Sequence, residues 1–166
     1  MKIKISNLPE GIHELELSKS VNELNLEEPF KNKINLDCKV DKSHHQIVVN
    51  CNLNIDADFV CDRCNTNYSD VIKTNFKLVY LFEKKISEAT DINVKYISKT
   101  TEEIDLTKDA IDFAYLAVPM KKLCNVNCKG LCPSCGTNLN INECNCETEN
   151  INPVWEKLLS LKDKLN

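Results

Sequence analysis

Glycine is scarce in this chain, three residues among 166, and none stands in a phosphate-cradling arrangement. No P-loop or dinucleotide-binding turn is therefore available, and a nucleotide ligand is not expected. Arginine is scarcer still, with Arg63 standing alone beside twenty lysines. Basic charge is outweighed: 21 Lys and Arg against 25 Asp and Glu leave a formal charge of −4. That balance argues against broad electrostatic attraction to nucleic acid or to an anionic membrane. Long apolar runs are missing as well, since the longest, Phe113 to Met120, is far too short to span a bilayer. The opening MKIKISNLPE has neither the apolar run nor the small-residue cleavage site of a secretory signal, so a reducing cytosol is the expected compartment.

Cysteine runs the other way. Ten in 166 residues is far above average usage, and the even count raises disulfides first. In a reducing compartment, however, clustered thiols point to metal. With 42% apolar residues in 18.9 kDa, the chain has enough for one ordinary domain or a domain with a small appendage.

Residues 1 to about 60 alternate with period two: Met1, Ile3 and Ile5; Leu15 and Leu17; Ile34, Leu36, Cys38 and Val40; Ile47, Val49, Cys51, Leu53 and Ile55. These are half-buried strands. The last two runs flank a polar turn at Asp41 to His45 and form a hairpin. A fifth run, Ile72, Thr74, Phe76, Leu78, Tyr80 and Phe82, keeps one parity, and Ile92, Val94 and Tyr96 add a short strand after a charged loop over 83–91. An antiparallel sheet with one apolar face, curled toward a barrel, fits this pattern. From Asp105, read as an N-cap, Leu106, Ala110, Phe113, Ala114 and Ala117 recur at helical spacing until Pro119. A second amphipathic helix is expected from Asn152 and Pro153, carrying Trp155, Leu158, Leu159 and Leu165. No internal repeat is evident.

The segment from Cys124 to Asn150 has few apolar residues besides cysteine: Val126, Leu131, Leu139 and Ile141. Such a stretch cannot bury enough surface to offset the entropy of ordering it. Within and near it the thiols fall into short pairs: Cys61 and Cys64 in CDRC, Cys124 and Cys128 in CNVNC, Cys132 and Cys135 in CPSCG, Cys144 and Cys146 in CNC. A pair of this kind presents two sulfurs to one ion, and all-thiolate tetrahedral sites suit zinc. Eight thiolates fill two four-cysteine sites. The favoured matching joins Cys132/Cys135 to Cys144/Cys146 and Cys61/Cys64 to Cys124/Cys128, with the other matchings and a single zinc with four spare thiols remaining open. The chain is thus read as α+β, with the sheet and its covering helix over 1–122 and a Cys-rich zinc knuckle with the last helix over 123–166.

Arg63, Lys121, Lys122 and Lys129 are the cations near these thiols. Their plain role is to neutralise thiolate charge; the sharper one is to contact RNA phosphate, with the acidic balance favouring the former. Cys38 and Cys51 share parity with apolar neighbours and are read as small buried core residues, not ligands. His13, His44 and His45 lack matched carboxylate or serine signatures, so no catalytic residue is assigned.

The order CDRC, IDLTKDAIDFAYLAVPM, LCNVNCKGLCPSCGTNLN, CNC and NPVWEKLLSLK, over roughly residues 58 to 165, resembles the YceD family. Asn152, Pro153 and Val154 stand where the family usually carries Asp-Pro-Arg. The resemblance implies a bacterial cytosolic factor supporting 23S ribosomal RNA accumulation and large-subunit assembly. Its partners would be the large-subunit RNA, a pre-ribosomal particle or a ribosome-assembly protein. The competing classes are a pure protein-interaction module and an RNA-processing or redox enzyme using a cysteine or metal site.

Overall fold

The computed structural model describes residues 1–82 and 93–146. The expected charged loop and the second helix, with Asn152, Pro153 and Trp155, lie outside the described residues. The chain divides into two compact units, Met1–Phe59 with Asn67–Lys122, and Val60–Thr66 with Leu123–Asn166.

The first unit is built on a five-stranded sheet in the order β2-β3-β4-β5-β6, formed by β2 (Gly11–Ser20), β3 (Phe30–Lys42), β4 (Gln46–Val60), β5 (Asn67–Leu81) and β6 (Val94–Tyr96). Alternation makes the long strands: Ile34, Leu36, Val40, Ile47, Val49, Leu53, Ile55 and Leu78 are all at most 1% exposed, while their neighbours in sequence face outward. Antiparallel register sets Leu36 opposite Leu53 and Val40 opposite Val49, so the buried rows of β3 and β4 coincide. Near Phe30 the register shifts between Lys31 and Ile34, where Asn32 takes φ 61°, a bulge that bends the strand.

The expected barrel does not form. Among the described residues β2 and β6 are the edges of the sheet and do not pair with each other, and β6 is only three residues long and pairs parallel to β5, Val79 opposite Val94, so the sheet is open and mixed. The first apolar run, in β1 (Lys2–Lys4), instead pairs with β7 (Glu103–Asp105) in a separate two-stranded sheet, Ile3 opposite Ile104. The helix α1 (Thr107–Leu116) starts two residues after Asp105, whose carboxylate nevertheless accepts the Thr107 N–H at 2.8 Å. The same carboxylate is held below its ordinary pKa, first by the Thr107 hydroxyl. Ala110 and Ala114 turn the helix onto the core, and Phe113 stacks on Phe76 with ring centroids 4.7 Å apart.

Cys38 and Cys51 are buried among these residues as parity requires, but the expectation that they stay unbridged is corrected. They face each other across β3 and β4, with Cα atoms 4.1 Å apart, and are joined by a disulfide. Parity within one strand reveals burial; only the inter-strand register reveals the partner.

No helix among the described residues is long and apolar enough to cross a membrane.

Candidate metal centres

Within the second unit, Val60–Thr66 and the segment from Leu123 onward bring eight thiols into two sets of four. Cys61, Cys64, Cys124 and Cys128 form one set, and Cys132, Cys135, Cys144 and Cys146 the other. In each set all four Sγ atoms lie within 4.8 Å of one another. In the first set, Cys61 Sγ is 3.8 Å from Cys128 Sγ, and Cys64 Sγ is 3.6 Å from Cys124 Sγ. A tetrahedral ion with sulfur ligands at about 2.3 Å requires neighbouring sulfurs about 3.8 Å apart. The donors therefore fit a thiophilic ion, and both clusters could hold a metal.

The local chain explains how each set is presented. In CDRCNT, Asn65 N–H donates to the Cys61 carbonyl at 2.9 Å and Cys61 N–H to the Thr66 carbonyl at 3.0 Å. In CPSCGT, Gly136 N–H donates to the Cys132 carbonyl at 2.9 Å and Cys132 N–H to the Thr137 carbonyl at 2.8 Å. The fifth residue is left-handed in both, Asn65 at φ 54° and Gly136 at φ 73°. Glycine and asparagine are the residues that adopt this conformation with least strain. The two hexapeptides are thus one knuckle used twice. This corrects the reading that no repeat is present: the signal lay in aligning C-x-x-C-(Asn or Gly)-Thr with itself, a unit too short for a search at domain scale.

The knuckle also sets the thiol chemistry. Cys61 is drawn down to about 6, chiefly by the N–H of Cys124 and then by those of Cys64 and Arg63. Cys132 is lowered by the equivalent N–H groups of Cys135 and Ser134. Cys64 is lowered first by the Thr66 hydroxyl, and Cys135 is drawn to about 6 first by the Thr137 hydroxyl, whose oxygen is 3.1 Å from its sulfur. Cys124 and Cys146 move the other way: Cys124 is pushed up to about 12, first by Cys64, and Cys146 to about 12, first by Cys135. Four sulfurs this close cannot all ionise against one another; a bound cation removes that conflict and displaces the protons.

Around the first set, the Arg63 guanidinium donates to the Cys128 carbonyl at 2.9 Å. Asparagines that spacing did not single out as site residues complete the support. Asn140 Nδ2 donates to Cys128 Sγ at 3.3 Å while its Oδ1 accepts the Lys129 N–H at 2.8 Å, and Asn138 Nδ2 donates to the Thr66 hydroxyl at 3.2 Å. Their visible trace is the NLN that follows the second knuckle. Amide donors to a ligating sulfur stabilise its charge and fix its direction. Of the other cations, Lys121 and Lys129 are exposed, and Lys122 Nζ lies 5.7 Å from the Phe59 ring centroid within the first unit.

Gly130, at φ 81°, lies where a Cβ would come 3.1 Å from the Arg63 carbonyl oxygen, the oxygen that accepts the Leu131 N–H. Gly130→Ala is expected to destabilise this unit by about 1–3 kcal/mol through left-handed strain, measured as faster hydrogen exchange at the Leu131 amide. Unchanged protection would show that the close approach costs nothing.

The sequence pattern described as large ribosomal RNA subunit accumulation protein YceD matches residues 49–162. A chloroplastic large ribosomal RNA subunit accumulation protein YCED homolog 1 from Zea mays is 43% identical over 51 residues, 30% of this chain and 17% of that protein. Its Arabidopsis thaliana counterpart is 24% identical over 132 residues, 63% of this chain and 41% of that protein. An uncharacterized protein of Mycobacterium tuberculosis (strain H37Rv) is 25% identical over 128 residues, 77% of this chain and 61% of its own length. The chain therefore spans well under half of the two plant relatives. No solved structure matches it. With the matched residues taking in both knuckles and both completing cysteine pairs, the chain belongs to the YceD family.

Proposed function

We propose that this protein is a non-catalytic, zinc-stabilised factor that supports accumulation of 23S ribosomal RNA and biogenesis of the large ribosomal subunit in the cytoplasm. Family membership carries the reading. The two thiol quartets support its chemistry, because four thiolates saturate a zinc ion and leave it no open position for a substrate. Zinc is preferred to an iron–sulfur cluster because nothing in the surrounding residues calls for electron transfer. The ion would do the work a hydrophobic core does elsewhere, shaping a segment that lacks one.

Each saturated site would carry −2, taking the formal charge from −4 to about −8. Any contact with RNA must then be local, through Arg63, Lys121, Lys122 and Lys129, and must weaken steeply with salt. One observation favours a protein partner as the second reading: Arg63 and Lys122 already engage the Cys128 carbonyl and the Phe59 ring.

Depleting the protein is expected to lower large-subunit RNA relative to small-subunit RNA in sedimented ribosomal particles. An unchanged ratio would remove the assignment. Binding of large-subunit RNA fragments that does not respond to salt would transfer the role to a protein partner.

A further inference from the structure

We propose that the two centres are unequal: Cys61, Cys64, Cys124 and Cys128 hold a permanent ion, whereas Cys132, Cys135, Cys144 and Cys146 form an exchangeable zinc site. The inference rests on the zinc reading above and adds a division of labour between its two ions.

Burial separates the centres first. In the first set Cys61, Cys64 and Cys128 are buried, each 4% exposed or less, and Cys124 alone is not; in the second set only Cys132 is buried, and Cys135 and Cys146 are exposed. An ion leaves a thiolate site by ligand exchange: a donor from solution bonds to the metal as one metal–sulfur bond breaks, and the freed thiolate takes a proton from water. That sequence needs a path to the metal and a sulfur free to swing away. The second set offers this at two exposed sulfurs, Cys135 and Cys146, whereas the first offers it only at Cys124, whose three partner sulfurs are buried and hold the ion when it swings away.

Chain topology separates them again. The sulfur contacts of the first set join residues 60 and 67 positions apart in sequence, with the sheet-forming residues Asn67–Lys122 lying between the two ligand pairs. The two segments that carry the ligand pairs are tied to each other within the second unit by the Leu131 N–H on the Arg63 carbonyl and the Asn138 amide on the Thr66 hydroxyl, so a displaced ligand returns to its place. The second set lies wholly between Cys132 and Cys146, a short loop that opens without disturbing any strand. Side-chain support follows the same division. The first set has the Arg63 guanidinium on the Cys128 carbonyl, the Asn140 amide on Cys128 Sγ and the Thr66 hydroxyl 3.4 Å from Cys64 Sγ. In the second set the Thr137 hydroxyl stands beside Cys135.

The test is release of zinc from the fully loaded, full-length chain into an excess of a chromophoric chelator under native conditions. Two phases of one equivalent each are expected, the slow one at least tenfold slower. Cys146→Ser and Cys135→Ser are each expected to abolish the fast phase and leave the slow one. Cys64→Ser is expected to abolish the slow phase; should that variant fail to fold, the two exposed-cysteine variants still decide the matter. Release of both equivalents in one phase, or loss of the slow phase in Cys146→Ser, would overturn the division while leaving the zinc reading intact. A chain that takes up no zinc would overturn both.

Discussion

Stripping metal from the full chain at neutral pH is expected to dissolve the fold of residues 123–146 while the sheet unit stays folded. The reason is where the apolar contacts are. The buried hydrophobic cluster runs from Met1 to Ala114 and includes none of the described residues of the second unit. In that second unit the buried apolar side chains among the described residues are all cysteines, Cys61, Cys64, Cys128 and Cys132, while Val126 and Ile141 are 84% and 75% exposed. Zinc binding to thiolate peptides contributes on the order of 10–16 kcal/mol at neutral pH. Among the described residues of this unit no other contribution of that size is present. Amide hydrogen exchange before and after chelation measures the outcome: protection at Cys132, Gly136 and Leu139, whose N–H groups are bonded within the unit, should be lost. Protection along β3 and β4 should persist. Full retention of protection around the thiols would show that a metal is not what holds them.

Leu53→Ala should do the reverse. Leu53 is fully buried in β4 opposite the equally buried Leu36, so truncation leaves a cavity in the middle of the sheet. Such a change costs about 2–5 kcal/mol, a large part of the roughly 5–15 kcal/mol that holds a domain folded. Urea unfolding followed by far-ultraviolet circular dichroism would register it as a lower midpoint, and the number of zinc ions bound per chain should not change. Loss of zinc in parallel with the sheet would mean that the two units depend on each other for stability. Together with chelation, the pair of experiments asks whether this chain has two independent sources of stability, sulfur in one unit and hydrocarbon in the other.

Particular elements show how much was legible in the residues alone. The strands around Ile34 to Val40 and Ile47 to Ile55 could be read because a half-buried sheet imprints period two on its own sequence, and α1 because a helix imprints its own period on Ala110, Phe113 and Ala114. Open edges leave no such imprint. Whether β6 closes a barrel or pairs parallel to β5 depends on contacts between distant segments, as does the partnership of β1 with β7. Cys38 shows the same boundary: its burial was written into its parity, its bond to Cys51 was not.

The candidate metal residues were legible because a thiolate site needs two sulfurs a few residues apart, a requirement short enough to appear in the sequence itself. The amino-acid order by itself therefore determined which eight cysteines stand as pairs, that the segment holding most of them has too little hydrocarbon to fold unaided, and which family the motifs belong to. Only the tertiary structure decided which pair meets which, that CDRCNT and CPSCGT are the same knuckle, that Asn140 and Arg63 brace Cys128, and that three sulfurs are buried in one set but only one in the other. Local spacing records chemistry that neighbours perform together, whereas burial and partnership arise from segments some sixty residues apart meeting in space.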